Sequence, residues 1–185
     1  FRDLPGLDQL MADIELEGDV RRAVLVGTAR GPLDIIQTKD GLEIRTTWGE
    51  MAYQLGGADG YEMVRKQDEG GIAPGSELLV ELFTKFGPCL ILIDEWVAYL
   101  RQIYKVDGLP SGAFDANLSF VQALTEAVKD TKNTLLVASL PASQIEVGGE
   151  GGQEALDRLK QTFERVHSTW KPATQQESYE IVRRR

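Results

Sequence analysis

A chain of 185 residues can bury one sizeable core, and 42% hydrophobic against 26% charged residues is the balance of a globular protein, not a disordered one. A formal charge of −9 argues against coating nucleic acid, and the closing Arg183, Arg184 and Arg185 are too few to reverse it. A single cysteine, Cys89, excludes an internal disulfide; no apolar run is long enough for a membrane span and no signal-peptide pattern opens the chain, so the expected compartment is the cytoplasm.

The elements follow from periodicity and punctuation. Leu7, Leu10, Met11 and Ile14 have the spacing of an amphipathic helix that Gly18 closes. Ala23 to Val26 reads as a short buried strand ending at Gly27-Thr28. Residues 29–45 are of mixed polarity, with turns at Gly31-Pro32 and Lys39-Asp40-Gly41. Thr47 followed by Glu50 is a capping-box pattern that starts a helix, ended by Gly56-Gly57, and Tyr61 to Gln67 forms another. Ser76 caps the next helix, whose inner face is Leu78, Leu79, Leu82, Phe83 and Phe86, and Gly87-Pro88 stops it.

Cys89 to Ile93 is an apolar strand that runs into two adjacent carboxylates, Asp94 and Glu95. Val97 to Tyr104 is helical, and Asp115 caps a helix carrying Leu118, Val121, Leu124 and Val128 on one face. Thr134 to Ala138 is a second fully apolar strand, ending at Ser139. Residues 140–153 read as a glycine-rich loop, followed by a helix through Ala155, Leu156, Leu159 and Phe163 and a last strand, Val166 to Trp170. Thr174 and Glu177 open a terminal helix. Strands without polar alternation are those of a parallel sheet covered by helices on both faces, so the expected class is α/β with three layers.

Ligand sites of such sheets gather at the carboxyl ends of the strands. Asp94, Glu95 and Ser139 occupy two such ends, a combination that suits a nucleoside triphosphatase. The aspartate can hold Mg²⁺ partly through water, the glutamate can orient or deprotonate the attacking water, and the hydroxyl can sense the terminal phosphate. The usual companion is a G-x-x-x-x-G-K-[ST] loop that cradles the phosphates, but no lysine of this chain follows a glycine. The glycines of 148–152 surround Glu150, which repels phosphate. Cys89 reads as a small core residue, and the lone His167 has no cysteine or second histidine to complete a metal site.

Several longer stretches carry a resemblance. They are R-T-T-W-G-E-M-A-Y-Q-L-G-G (Arg45 to Gly57), P-C-L-I-L-I-D-E-W-V-A-Y (Pro88 to Tyr99), F-D-A-N-L-S-F-V-Q-A-L-T-E-A (Phe114 to Ala127), L-V-A-S-L-P-A-S (Leu136 to Ser143) and the ending Y-E-I-V-R-R-R. Together they resemble the large prokaryotic predicted ATPases of the P-loop AAA type that carry a domain of unknown function. The resemblance implies an AAA-type core over residues 1–171, lacking its first strand and phosphate loop, and the start of a truncated lid helix over 172–185. It implies ATP and Mg²⁺ as cofactors of the intact protein, a homo-oligomeric assembly, and an arginine that reaches a neighbouring subunit, with Arg158 and Arg165 as candidates. It assigns Asp94 to the metal, Glu95 to water activation and Ser139 to phosphate sensing. It also places a missing central strand between Thr134–Ser139 and Val166–Trp170. A chain that opens on Phe1 and closes within a helix is expected to be a fragment, inactive alone. Two other readings of the residues are a non-catalytic α/β interaction module and a metal-dependent hydrolase using the two acids with a third ligand.

Overall fold

The computed structural model describes residues 19–141 and 147–164. Their elements are β1 (Arg21–Val26), β2 (Ile36–Gln37), β3 (Glu43–Ile44), α1 (Thr47–Gly70), α2 (Ser76–Phe86), β4 (Cys89–Asp94), α3 (Trp96–Ile103), α4 (Phe114–Asp130), β5 (Thr134–Ala138) and α5 (Gly149–Phe163). The class is α/β. β1, β4 and β5 form a three-stranded parallel sheet in the order β1-β4-β5, and β2 and β3 pair as a small antiparallel ribbon.

The register aligns the strand ends. Val26 lies opposite Asp94, and Ile93 lies opposite Ala138, so Val26, Asp94 and Ser139 finish at one level, with Gly27 one residue beyond. Both crossovers, β1 to β4 and β4 to β5, step the same way across the sheet. Right-handed connections then put their helices on one face. Ala23, Leu25, Cys89, Ile91 and Ile93 point into that face and are buried. They meet Trp48, Leu55, Leu82, Phe83, Trp96, Leu100 and Leu124 in one core. α2 shows the logic: Leu79, Leu82, Phe83 and Phe86 are buried at i, i+3, i+4 and i+7, each side chain contributing about 1.5–3 kcal/mol of burial.

The alternate residues of the strands tell a different story. Val24, Leu135 and Val137 are 44%, 59% and 46% exposed, and Leu90 and Leu92 are half-buried. Among the described residues the sheet therefore has two layers instead of the expected three, and the unbroken apolar runs serve one covered and one open face.

Several local expectations are corrected. The cap of α1 is Thr46, not Thr47: its hydroxyl accepts from the Gly49 N–H, and Thr47 is the first helical residue. Gly57 does interrupt that helix, with φ 61° and ψ −146°, but the chain resumes helix at once, so the two expected helices are one kinked element. Asp115 lies in the first turn of α4 and Ala113 is the capping position, without a side-chain bond. Gly149 to Gln153, expected as loop, are already helix α5. The ribbon β2–β3 was not expected from the mixed polarity of 29–45.

The free edge of β1 is covered by a side chain. Gln54 of α1 accepts from the Val24 N–H at 2.7 Å and donates to the Val24 carbonyl at 3.0 Å, standing in for a neighbouring strand. Among the described residues no strand pairs with the outer edge of β5. The expected helix at Leu7 to Ile14, the strand Val166 to Trp170 and the terminal helix lie outside the described residues.

Candidate functional site

The strand tips bring Asp94, Glu95 and Ser139 together. The Ser139 hydroxyl donates to Asp94 Oδ1, and the Glu95 N–H is shared between Asp94 Oδ1 at 3.0 Å and Ser139 Oγ at 3.3 Å. The backbone holds the three ends in line: Gly27 N–H donates to the Asp94 carbonyl at 2.8 Å, and Ser139 N–H to the Ile93 carbonyl at 2.9 Å. All three side chains stay exposed although they sit at the end of a buried strand.

Glu95 turns the chain from β4 into α3 with φ 54° and ψ 31°. For a residue with a Cβ this left-handed conformation costs on the order of 1–2 kcal/mol and is found where surrounding structure enforces it. The enforcing contacts are visible. The Glu95 carbonyl accepts from Ala98 N–H at 3.0 Å and presses against Gly27, where a Cβ would lie 2.2 Å from that oxygen. Only glycine lets β1 approach so closely. Tyr99, one turn further along α3, packs under the same glycine and is buried; burial pushes its phenol above the usual range, opposed by the Ser111 hydroxyl and the Arg30 charge.

A fourth side chain completes the cluster. Thr28, just beyond β1, donates its hydroxyl to Glu95 Oε2. Sequence reasoning stopped β1 at Gly27-Thr28 without assigning Thr28 a role. The available signal was positional: Thr28 follows the end of the strand that neighbours the acidic tip. Next to it, Arg30 is fixed by Glu50 at 2.9 Å and by the carbonyls of Asp34 and Arg45, and so clasps the 29–46 loop instead of facing the tips.

The family model of the DUF499 N-terminal domain matches residues 16–181. The chain belongs to this family. No curated protein and no solved structure matches it. DUF499 denotes a domain of unknown function.

That geometry suits a magnesium ion held largely by water. Both hydrogen bonds described for the Asp94 carboxylate use Oδ1, and the residue is exposed. An exposed aspartate beside a hydroxyl is the sparse donor set magnesium accepts, since it keeps several of its waters. Among the described residues no three His, Cys, Asp or Glu side chains gather into a metal-binding group. The third ligand that a protein-caged metal hydrolase requires is not supplied there.

The two candidate arginines are placed differently. Arg158 is on α5, paired with Glu154 at 2.9 Å and more than half exposed. It lines a groove of about 410 Å³ between α4 and α5 with Asp115, Ser119 and Glu126, and none of the tip residues borders that groove. Arg165 lies outside the described residues. No helix among the described residues of this DUF499 domain is long and apolar enough to cross a membrane.

Proposed function

We propose that this domain supplies the acidic half of an ATP-hydrolysing site in the intact protein. The observation that carries the reading is the hydrogen-bonded cluster of Thr28, Asp94, Glu95 and Ser139 at the aligned strand ends. Asp94, exposed at the end of β4, holds Mg²⁺ through water. Bound magnesium would supply charge neutralisation on the phosphates. Glu95 orients the attacking water and accepts its proton. Ser139, already bonded to Asp94, reports on the terminal phosphate through its hydroxyl. Thr28 holds the Glu95 carboxylate in its bonded position, and Glu95 has to exchange this partner for water before it can act as a base. The phosphate-binding loop comes from elsewhere in the intact protein, since the 185 residues contain no G-x-x-x-x-G-K-[ST] sequence.

The test is nucleotide binding and turnover by the intact protein. Glu95→Gln is expected to retain Mg²⁺-ATP binding and to lose turnover by about 10²–10⁴-fold, the usual contribution of a general base. Asp94→Ala is expected to weaken the Mg²⁺-dependent part of binding. Turnover by the isolated 185 residues, or full activity of Glu95→Gln, contradicts the assignment.

A second reading, a non-catalytic α/β interaction module, draws on the same cluster. The acids are already satisfied by neighbouring hydroxyls, and the chain has no phosphate loop of its own. It predicts that the intact protein shows no Mg²⁺-dependent nucleotide binding at all.

A further inference from the structure

Three buried polar side-chain atoms, Tyr99 Oη, Ser111 Oγ and Arg30 Nε, have no hydrogen-bond partner among the described residues. Tyr99 is 1% exposed and Ser111 0%. The three share one neighbourhood, for the Ser111 hydroxyl and the charges of Arg30 and Glu50 are the groups that act on the Tyr99 phenol. Buried polar atoms are nearly always hydrogen-bonded, and an unmet one is costly, so three together call for a common partner.

The surrounding bonds hold these atoms where they are. The two terminal nitrogens of Arg30 are engaged by Glu50 and by the carbonyls of Thr46, Asp34 and Arg45, which leaves Nε–H as the remaining donor. The backbone at Ser111 is fixed as well. Asn117 Nδ2 donates to the Ser111 carbonyl at 3.2 Å and to the Ala113 carbonyl at 3.0 Å. A Cβ on Gly112 would lie 2.8 Å from the Gly71 carbonyl, so that segment is packed close. Tyr99 is pinned from the other side, its Cβ 3.1 Å from where a Cβ on Gly27 would stand.

We infer that one internal water molecule binds among Tyr99 Oη, Ser111 Oγ and Arg30 Nε. The chemistry of the three groups selects water. Arg30 Nε–H can only donate, so the ligand has to accept, which excludes an ammonium group. Glu50, 2.9 Å from Arg30, matches its charge, so the site offers no net charge to an anion. A water accepts from Nε–H and donates one hydrogen to each hydroxyl oxygen, the three bonds typical of a buried water. It joins the loop after β1 through Arg30, α3 through Tyr99 and the loop after α3 through Ser111. This site stands on buried atoms alone, whatever chemistry the strand tips perform.

A high-resolution crystal structure of the full chain, with urea unfolding of Tyr99→Phe and Ser111→Ala, tests the site. A solvent density peak about 2.6–3.2 Å from Tyr99 Oη, Ser111 Oγ and Arg30 Nε is expected. Each variant is expected to lower the folding equilibrium constant about threefold to tenfold, because each removes a bond to the water. The double variant should lose less than the product of the two, since both act on one ligand. Unmet hydroxyls give the opposite sign: their removal leaves the constant unchanged or raises it, and that result overturns the proposal. So does a direct Tyr99–Ser111 hydrogen bond with no density peak. A peak that carries the anomalous signal of bromide soaked into the crystal overturns it too, and assigns the site to an anion.

Discussion

Two carboxyl clusters, about a helix apart in the sequence, collect the same kinds of donors and put them to opposite uses. Asp68, near the end of α1, is fully buried. It accepts from the Arg45 and Thr46 N–H groups, from the Thr46 hydroxyl at 2.5 Å and from the Tyr61 hydroxyl at 2.9 Å. These bonds fasten the entry of α1 to its own second half, across the kink at Gly57. Asp94 and Glu95 also accept from a serine, a threonine and a backbone N–H, but they remain in solvent and Glu95 occupies a strained backbone conformation. The difference teaches how to separate structural from available acids. Donor count does not do it; burial together with backbone strain does.

The largest expected effect lies on the structural side. Asp68→Ala leaves several buried donors without an acceptor, and each costs about 1–3 kcal/mol, so a loss of about 3 kcal/mol or more is expected in urea unfolding. A loss below about 1 kcal/mol would erase the distinction between the two clusters, because that is what an exposed acid gives. Gly27→Ala comes next, since its Cβ would sit 2.2 Å from the Glu95 carbonyl. An overpacking cost of about 1–3 kcal/mol is expected, together with a displaced Glu95, so this variant loses stability and turnover at once. Retained turnover in Gly27→Ala would show that the position of Glu95 is not set from β1.

The smallest effect concerns Cys89, on the buried face of β4. Burial pushes its thiol up from its usual value, with the nearby Arg21 charge opposing. A raised acid is held neutral in the fold, so its contribution is complete below the unfolded pKa of about 8.5 and is lost as pH rises through the folded value. Wild type should therefore lose part of its advantage over Cys89→Ala in urea melts as pH rises above that point. An advantage independent of pH would mean that the thiol is not the buried group described.

Much of the sheet was legible from the sequence, because buried strands announce themselves. Thr134–Ala138 was read with its observed bounds, and Ala23–Val26 and Cys89–Ile93 fell short only by terminal residues. What apolar runs could not show is that one face stays open among the described residues, since a half-exposed valine and a buried one look alike in sequence. The ribbon β2–β3 was missed because strands of two residues carry no period. Adjacent threonines hid the true cap: Glu50 completes the capping-box spacing with Thr47, but Thr46, whose hydroxyl also donates to Asp68, is the residue that caps. The start of α5 was missed because glycine is a poor helix former, costing about 1 kcal/mol against alanine. Packing overrides that preference here, for a Cβ on Gly152 would lie 1.8 Å from the Val147 carbonyl and one on Gly151 would strike Tyr104. At the candidate site, the acids and Ser139 were legible as strand ends. Thr28 was not, because a hydroxyl after a strand becomes informative only when its side chain is seen bonded to Glu95.

One measurement bears most directly on the claim that the strand-tip acids are available for chemistry whereas Asp68 is structural. It is the paired determination of thermal stability and Mg²⁺-ATP turnover for Glu95→Gln in the intact protein. An unchanged melting temperature with turnover reduced by about 10²-fold or more is the predicted result. A lowered melting temperature with turnover per folded molecule unchanged would contradict it, and would make Glu95 a second Asp68.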